Sequence, residues 1–180
     1  SKDSILEARK RYKDLKKNKK NKTTVDLQIL TITNNKFDFK GVKKSYNIVS
    51  CQFSIHYFFK NEEMLDRAIK RISDFLEPGG YFIGTAIDGS RVDKLLKSGN
   101  KNTKDYKITK KYREIKDFGS KYSFDLKDNE GAGLYQFTAD EYLVFERVLV
   151  NKCSEHGLKF IEKKDFKDYY TKNDKLKDFE

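Results

Sequence analysis

The most constraining feature of this sequence is an apolar run, a helical segment and a second apolar run in direct succession. Residues 46–51 read YNIVSC, which suits a buried strand of a parallel sheet. Asn61 then caps a segment with helical apolar spacing, and the PGG turn at residues 78–80 ends it before the run YFIGTAI at residues 81–87. A crossover of this length predicts a right-handed parallel unit and therefore an α/β fold.

Polar and aromatic side chains follow both strands of this unit. The stretch SCQFSIHYFF (50–59) places Gln52, His56 and Tyr57 after the first strand, and residues 86–90 follow the second strand. In open α/β sheets, ligands bind outside the carboxyl ends of the strands. We therefore expect these two segments to line one crevice.

The rest of the chain predicts a parallel sheet that grades into antiparallel strands within one domain over residues 1–180. KYSFDL at residues 121–126 alternates as a strand does, whereas residues 98–110 are polar and basic and predict a mobile loop. Residues 138–141 fit a capping box and predict a helix from there to about Glu155. The stretch LKFIEKKDF (158–166) begins as a final strand.

The composition bounds the choice of partner. The 180 residues include 39 Lys and Arg against 28 Asp and Glu, a formal charge of +11. This excess favours a polyanionic partner, with nucleic acid first and an anionic membrane surface second. An AT-rich genome would also enrich lysine, so the charge is supportive only. Cys51 and Cys153 are far apart and indicate a reducing setting rather than a disulfide framework. No stretch approaches the length of a transmembrane helix. Because nucleic acid is preferred to a membrane surface, no membrane partner is expected.

Four motifs occur in an order that resembles one enzyme family. SCQFSIHYFF, PGGYFIGT, FGSKYSFDL and DEYLVF resemble the motifs of mRNA cap guanine-N7 methyltransferases, and RYKDL near the start resembles that family's helix after its second strand. The resemblance implies a Rossmann-like class I S-adenosylmethionine-dependent methyltransferase fold, incomplete at its N-terminus. It also implies S-adenosylmethionine as the cofactor, capped RNA as the substrate, and methyl transfer to N7 of the cap guanine without a metal.

The resemblance assigns roles to six residues. Guanine N7 carries a lone pair and no proton, so catalysis needs proximity and orientation rather than a general base. The residues implied beside the cofactor are Gln52, Phe53 and Tyr57. The residues implied around the cap guanine are His56, Tyr57, Phe118 and Glu141.

Simpler structural explanations compete with these roles. A histidine in an apolar setting, such as His56, is usually a packed, hydrogen-bonded side chain. The capping box explains Glu141 without a ligand, and Phe118 before a glycine could pack under a turn. His156 precedes Gly157 at a predicted helix end, where a cation suits the helix dipole, and we interpret it as structural.

The sequence departs from the family's pattern at its start. The acidic, glycine-rich cofactor loop has no counterpart, because the GxG at residues 131–133 reads as an ordinary loop. We therefore interpret the chain as the C-terminal part of the domain, working with the missing N-terminal half or with a larger capping polypeptide. The alternatives are a non-catalytic methyltransferase-like module that binds capped RNA or a partner subunit, and a methyltransferase for another small substrate. A cellular enzyme would be nuclear, and a viral one would act in the host cytoplasm.

Overall fold

The computed structural model describes the backbone of residues 2–17, 46–126 and 137–172. The chain divides into two compact units, residues 1–42 and residues 43–180. Helix α1 (Lys2–Lys17) belongs to the first unit. None of the helices in the described ranges is long and apolar enough to cross a membrane. The GxG at residues 131–133 lies outside these ranges, and a single domain over the whole chain stays a prediction.

The second unit begins with the predicted strand–helix–strand. Its two strands pair in parallel, with Gln52 opposite Thr85 at their carboxyl ends. Asn61 caps the connecting helix, because its side-chain oxygen accepts a hydrogen bond from the Met64 N–H at 2.9 Å. The predicted parallel unit is therefore confirmed, but the bounds of its second strand differ: residues 78–80, predicted as a turn, lie within the strand where its register is irregular, and the strand ends at Thr85 rather than at residue 87. Its elements are β1 (Tyr46–Gln52), a 3₁₀ helix (Ile55–Lys60), α2 (Glu62–Phe75) and β2 (Leu76–Thr85).

The two faces of the parallel pair have different surroundings. Helix α2 packs against one face, where its fully buried Leu65 and Ile69 share a core cluster with Phe59 of the 3₁₀ helix. Successive side chains of a strand point to opposite faces, so the residues between the inward ones face away from α2. On that side, three large side chains keep 47% to 56% of their surface exposed. We call these three residues the open face: Ile48, Tyr81 and Ile83.

An antiparallel sheet of four strands follows, in the order β3-β4-β5-β6. Val92 and Leu96 of helix α3 lie in a second core cluster with Ile108 and Tyr122 of this sheet. The antiparallel strands predicted after the parallel unit are thus confirmed. The elements are α3 (Gly89–Leu96), β3 (Lys101–Asn102), β4 (Tyr106–Lys110), β5 (Lys121–Leu126), β6 (Phe137–Tyr142), α4 (Glu146–Glu155) and α5 (Phe166–Lys172).

The loop predicted over residues 98–110 is wrong in its secondary structure. Most of this segment forms the hairpin of β3 and β4. Thr103 closes the turn, because its hydroxyl oxygen accepts the Tyr106 N–H at 3.0 Å and its own N–H donates to the Tyr106 carbonyl at 2.8 Å. Ile108 is buried in the second core cluster, which fixes the face of β4 despite its lysines.

Two predictions near the C-terminus are also wrong. Residues 138–141 belong to β6 and not to a capping box, because they pair with β5, and helix α4 begins only at Glu146. Non-local strand pairing has overridden a local helix signal. Residues 158–165 form no strand and lead instead into α5. Lys163 of that segment contacts Glu146 at 2.6 Å, which holds it beside α4.

A tight backbone contact joins the end of the parallel unit to the segment after β6. The Gly89 N–H donates to the Val144 carbonyl at 2.9 Å, and Asp88 and Val144 form a parallel bridge. A Cβ at Gly89 would lie 2.6 Å from the Val144 oxygen and 2.7 Å from its nitrogen, so only glycine fits. This joint brings the carboxyl ends of β1 and β2 near β6.

Candidate active site

The first part of the candidate site lies just beyond β1. Phe53 has a φ of +46°, in the left-handed region that costs a non-glycine residue about 1 kcal/mol or more. Its N–H compensates by donating to Thr85, at 3.0 Å to the carbonyl and 3.1 Å to the hydroxyl oxygen. The Phe53 ring remains 54% exposed, and the neighbouring Gln52 is exposed as well. The predicted cofactor side chains therefore stand at the carboxyl edge of the sheet, held by a strained backbone.

The 3₁₀ helix presents the next two residues in opposite ways. His56 is buried, whereas Tyr57 is 38% exposed. The two rings are in contact, with centroids 4.1 Å apart. Ile55, Phe58 and Phe59 of the same short helix point into the core and anchor it. The helix thus holds one buried and one accessible polar aromatic side chain beside each other.

Glu141 on β6 completes a buried cluster with His56. It is only 5% exposed, and its Oε1 lies 3.8 Å from His56 Nε2. The hydroxyl of Tyr122, directly opposite on β5, donates to Glu141 Oε2 at 2.5 Å. A separation of 3.8 Å is too long for a hydrogen bond, and His56 Nε2 has no hydrogen-bond partner among the described residues. Buried polar atoms are normally paired, so the unpaired nitrogen distinguishes His56 from an ordinary packed, hydrogen-bonded histidine. We call His56, Tyr57, Tyr122 and Glu141 the polar cluster.

Burial and the Glu141 carboxylate together set the protonation of this cluster. Burial lowers the pKa of His56, and the charge of Glu141 opposes that shift. Burial and, secondarily, Glu141 raise the pKa of Tyr57. The pKa of Tyr122 is raised much further, by burial and by its hydrogen bond to Glu141. At neutral pH the cluster therefore offers a neutral imidazole and two protonated phenols beside Glu141.

Phe118 occupies a different position from the polar cluster. It is half-buried, and its ring lies 5.9 Å from that of Phe59. The next residue, Gly119, has a φ of +76° and donates its N–H to the Phe59 carbonyl at 2.9 Å. These contacts pack the turn onto the 3₁₀ helix, as the simpler explanation of Phe118 expected, and its part in binding guanine stays a prediction.

His156 lies away from the polar cluster. It follows the last residue of α4, and its Nε2 lies 2.9 Å from Asp66 Oδ1 on α2. Its carbonyl accepts the Ser73 hydroxyl at 2.7 Å. These contacts tie α4 to α2, which is the structural role that the sequence predicts. Among the described residues, no group of three or more His, Cys, Asp and Glu is placed to hold a metal ion.

Tyr122 is the member of the cluster that sequence reasoning missed. It is 2% exposed and lies on the apolar face of the strand KYSFDL. A buried tyrosine hydroxyl usually has a hydrogen-bond partner, so this position carried a signal that a polar residue lay opposite. Only the strand register identifies that residue as Glu141.

Comparisons with known proteins agree with this architecture. The family model of the mRNA (guanine-N(7))-methyltransferase domain matches residues 1–180. The mRNA cap guanine-N(7) methyltransferase of Drosophila melanogaster is 27% identical, over 94% of this chain and 42% of the relative. The Saccharomyces cerevisiae relative of the same name is 27% identical, over 93% of this chain and 41% of that protein. The chain thus spans about two fifths of the length of these relatives.

A solved structure shows the same fold. The S-adenosylmethionine-dependent methyltransferase from Clostridium acetobutylicum superposes with a TM-score of 0.55 at 16% identity, covering 91% of this chain and 68% of that one. This likeness confirms the Rossmann-like methyltransferase fold. Together with the family match, it identifies the resemblance seen in the motifs as genuine membership: the chain belongs to the mRNA (guanine-N(7))-methyltransferase domain family.

Proposed function

We propose that this chain is the C-terminal part of an enzyme that transfers a methyl group from S-adenosylmethionine to N7 of the cap guanine of mRNA. The family match across residues 1–180 is the observation that carries the proposal. The position of the polar cluster supports it, because a buried carboxylate lies beside the carboxyl ends of a methyltransferase sheet. The substrate is capped RNA, and the site of action is the nucleus for a cellular enzyme or the host cytoplasm for a viral one.

The polar cluster suits recognition of guanine. Glu141 accepts one hydrogen bond from Tyr122, and a carboxylate has further acceptor capacity. It can therefore accept from the ring N–H and the exocyclic amine of guanine, which fixes the orientation of the base. Tyr57 offers an accessible aromatic face for stacking. His56 supports Glu141 from the buried side, and Phe118 closes the pocket from its turn.

Gln52, Phe53 and Tyr57 suit the cofactor. All three are exposed at the carboxyl edge, where a nucleoside can lie against an aromatic ring and an amide can bond its polar groups. S-adenosylmethionine, when bound, supplies a methyl group on a sulfonium centre. These residues hold donor and acceptor in line, and such alignment is the main catalytic contribution in a reaction that requires no base.

The open face supports a longer catalytic unit. Parallel sheets are normally covered on both faces, and a pair of strands is marginal alone. The exposed side chains of Ile48, Tyr81 and Ile83 therefore suit contact with the remaining part of the domain, in the same polypeptide or in a partner. The proposed partners are that segment and capped RNA.

The direct test is methyl transfer from labelled S-adenosylmethionine to RNA with an unmethylated cap. It compares this chain alone with a polypeptide that also carries the upstream segment. We expect transfer with the longer polypeptide. Cap binding without transfer in both cases would contradict the proposal and indicate a non-catalytic binding module.

Two substitutions test the site. Glu141→Ala and Tyr57→Ala should each weaken binding of a cap analogue by about tenfold or more, because each removes a hydrogen bond or a stacking surface. Glu63→Ala, at an exposed carboxylate on α2, is the matched control and should leave affinity unchanged. If both site variants keep their affinity for the cap analogue, and circular dichroism shows that they keep the fold, then the polar cluster does not line the cap pocket.

A further inference from the structure

Two segments of this chain are strongly basic. Residues 9–22 contain nine Lys and Arg against one Asp, and residues 94–121 contain ten Lys and Arg against three Asp and Glu, a formal charge of +7. Helix α2 has the opposite balance, with three basic and four acidic residues. A compositional bias of the genome would spread lysine more evenly along the chain. We call residues 94–121 the basic segment.

Most cations of the basic segment are free of acidic partners. Lys111 and Lys121 both pair with Asp140, at 2.5 Å and 3.1 Å. Six others are exposed, and within the described part of the chain none of them forms an ion pair. A cluster of unpaired like charges opposes folding through self-repulsion, and an anionic partner would relieve that cost. The six are Lys94, Lys97, Lys104, Lys107, Arg113 and Lys116.

The strand register connects this segment to the polar cluster. Lys110 on β4 lies opposite Tyr122 on β5, and Tyr122 lies opposite Glu141 on β6. The three residues form one row across adjacent strands, so Lys110 and Glu141 are two strand spacings apart, roughly 10 Å. The Lys110 ammonium lies 4.5 Å above the ring of Tyr112, whose hydroxyl donates to Asp93 at 2.7 Å. A cation is therefore held in the row that leads away from the guanine-binding carboxylate.

The hairpin carries two further cations, one in its turn and one on the face of β4 opposite to Lys110, because successive side chains of a strand alternate between faces. Lys107 lies next to the turn on β4 and faces Asn102 on β3, while Lys104 lies in the turn itself. The Thr103 hydrogen bonds define the turn, so these cations project from an ordered hairpin. A series of exposed cations on a hairpin, next to a site for the terminal base, suits a phosphate backbone more than a single compact anion.

We propose that the hairpin of β3 and β4, with Lys104, Lys107 and Lys110, binds the phosphate backbone of the RNA chain that follows the cap. This inference rests on the proposed function, since it takes the cap guanine to lie at Glu141. The partner is single-stranded RNA, bound through its phosphates and without sequence preference. Contact with the hairpin would make capped RNA bind more tightly than a cap dinucleotide, which has no RNA chain after the cap.

The experiment reverses two charges that lie outside the polar cluster. Lys104→Glu/Lys107→Glu is compared with Lys70→Glu/Lys159→Glu, which makes the same change in charge at exposed positions outside the basic segment. The first readout is the binding of this chain to an uncapped RNA oligonucleotide as a function of salt. The second is the KM of the upstream-extended polypeptide for capped RNA and for the dinucleotide GpppG.

We expect the hairpin variant to lose roughly tenfold in RNA affinity and to reduce the salt slope by about 1.4, because two phosphate contacts to a single strand are lost. The KM of the hairpin variant for capped RNA should rise by a similar factor, while its KM for GpppG stays unchanged. The control variant should keep its RNA affinity and both KM values. Equal loss in both variants would overturn the inference, since net charge alone would explain it. Unchanged RNA binding would also overturn the inference, and the cations of the hairpin would then suit an acidic protein partner instead.

The two proposals fail in different ways. If wild type methylates neither substrate but the hairpin variant still loses RNA affinity, the proposed function is wrong and the RNA surface stands. If wild type methylates both substrates and the variant matches it on capped RNA, the enzyme assignment stands and the RNA surface is wrong.

Discussion

The two sheets of this protein differ in how completely they are built. The antiparallel sheet has α3 on one face, and its central Tyr122 and Ile108 are buried. The parallel pair has α2 on one face and leaves Ile48 and Ile83 exposed on the other. Antiparallel sheets commonly place one face in water, whereas parallel ones are buried on both sides. This difference is the basis for the proposal that the open face of the parallel pair contacts further polypeptide.

The polar cluster lies where the two sheets meet. The parallel unit contributes His56 and Tyr57 through its 3₁₀ helix, and the antiparallel sheet contributes Tyr122 and Glu141. Neither sheet alone contains the cluster, so its geometry depends on the contact between them. The joint at Gly89 is therefore as important to the site as the residues themselves.

The largest expected effect is a difference in stability when isoleucine is replaced by alanine on the covered side and on the open side of the parallel pair. Ile69→Ala removes a fully buried side chain of α2, on the covered side of the pair, and should lower the free energy of unfolding by about 2–5 kcal/mol. Ile83→Ala removes a side chain that is 47% exposed and should cost less than about 0.5 kcal/mol in this chain. Urea denaturation of both variants measures the difference.

The same pair sharpens the proposal that the open face is covered. In the polypeptide extended upstream, Ile83→Ala should cost about 2 kcal/mol or more, as a buried isoleucine does. If its cost stays equally small with and without the upstream segment, the open face is not the contact surface.

The next effect breaks the joint between the sheets. Gly89→Ala places a methyl group against the Val144 backbone and should cost about 1–3 kcal/mol through forced displacement. The polar cluster should loosen with it, so cap affinity should fall even though no member of the cluster is changed. Ser90→Ala, at the exposed neighbouring residue, is the control, and calorimetry with a cap-binding assay measures both variants.

A smaller effect tests the hydrogen bond within the antiparallel sheet. Tyr122→Phe leaves Glu141 Oε2 without its donor and should cost about 1.5 kcal/mol, the lower end of the range for a hydrogen bond to a charged group. Tyr106→Phe, on the same face of the neighbouring strand, should cost less, because the Tyr106 hydroxyl has no hydrogen-bond partner among the described residues. Equal losses in thermal denaturation would mean that the Tyr122 hydroxyl contributes nothing specific.

The smallest effect is a dependence of stability on pH. The pKa of His56 is lowered from its ordinary 6.5 by burial, so the folded state binds fewer protons than the unfolded state just below that value. Stability should be fully present above about pH 6.5 and should fall as the pH drops through the lowered pKa. His56→Gln should flatten this fall in denaturation curves measured between neutral and mildly acid pH. A wild-type curve that stays flat there would show that His56 has the same pKa in the folded and unfolded states, which contradicts the lowered pKa.

Local signals predicted the parallel unit correctly and failed further along the chain. The two apolar runs, the Asn61 cap and the intervening helical spacing act over neighbouring residues, so the sequence alone reveals them. The strands within residues 98–110 and 138–141 depend on partners elsewhere in the chain. Without knowledge of their pairing partners, residues 98–110 are predicted to be a loop because they are rich in lysine. Residues 138–141 are predicted to begin a helix because they fit a capping box.

In the candidate site, too, local motifs predicted some features, and others depend on distant strand pairing. The order of motifs predicted Gln52, Phe53, His56, Tyr57 and Glu141 as site residues, and the fold places His56 and Tyr57 in contact and His56 beside Glu141. The motifs do not show that Glu141 lies in a strand.

The sequence by itself determined the family, the parallel unit and the identity of the polar residues, because each of these depends on residue type and local spacing. The tertiary structure alone decided that Tyr122 holds Glu141, that His56 faces it from the other sheet, and that Lys110 lies in the same row. The physical reason is strand register: a shift of one residue turns every side chain to the other face. Register is set by pairing between distant segments, and no local pattern contains it.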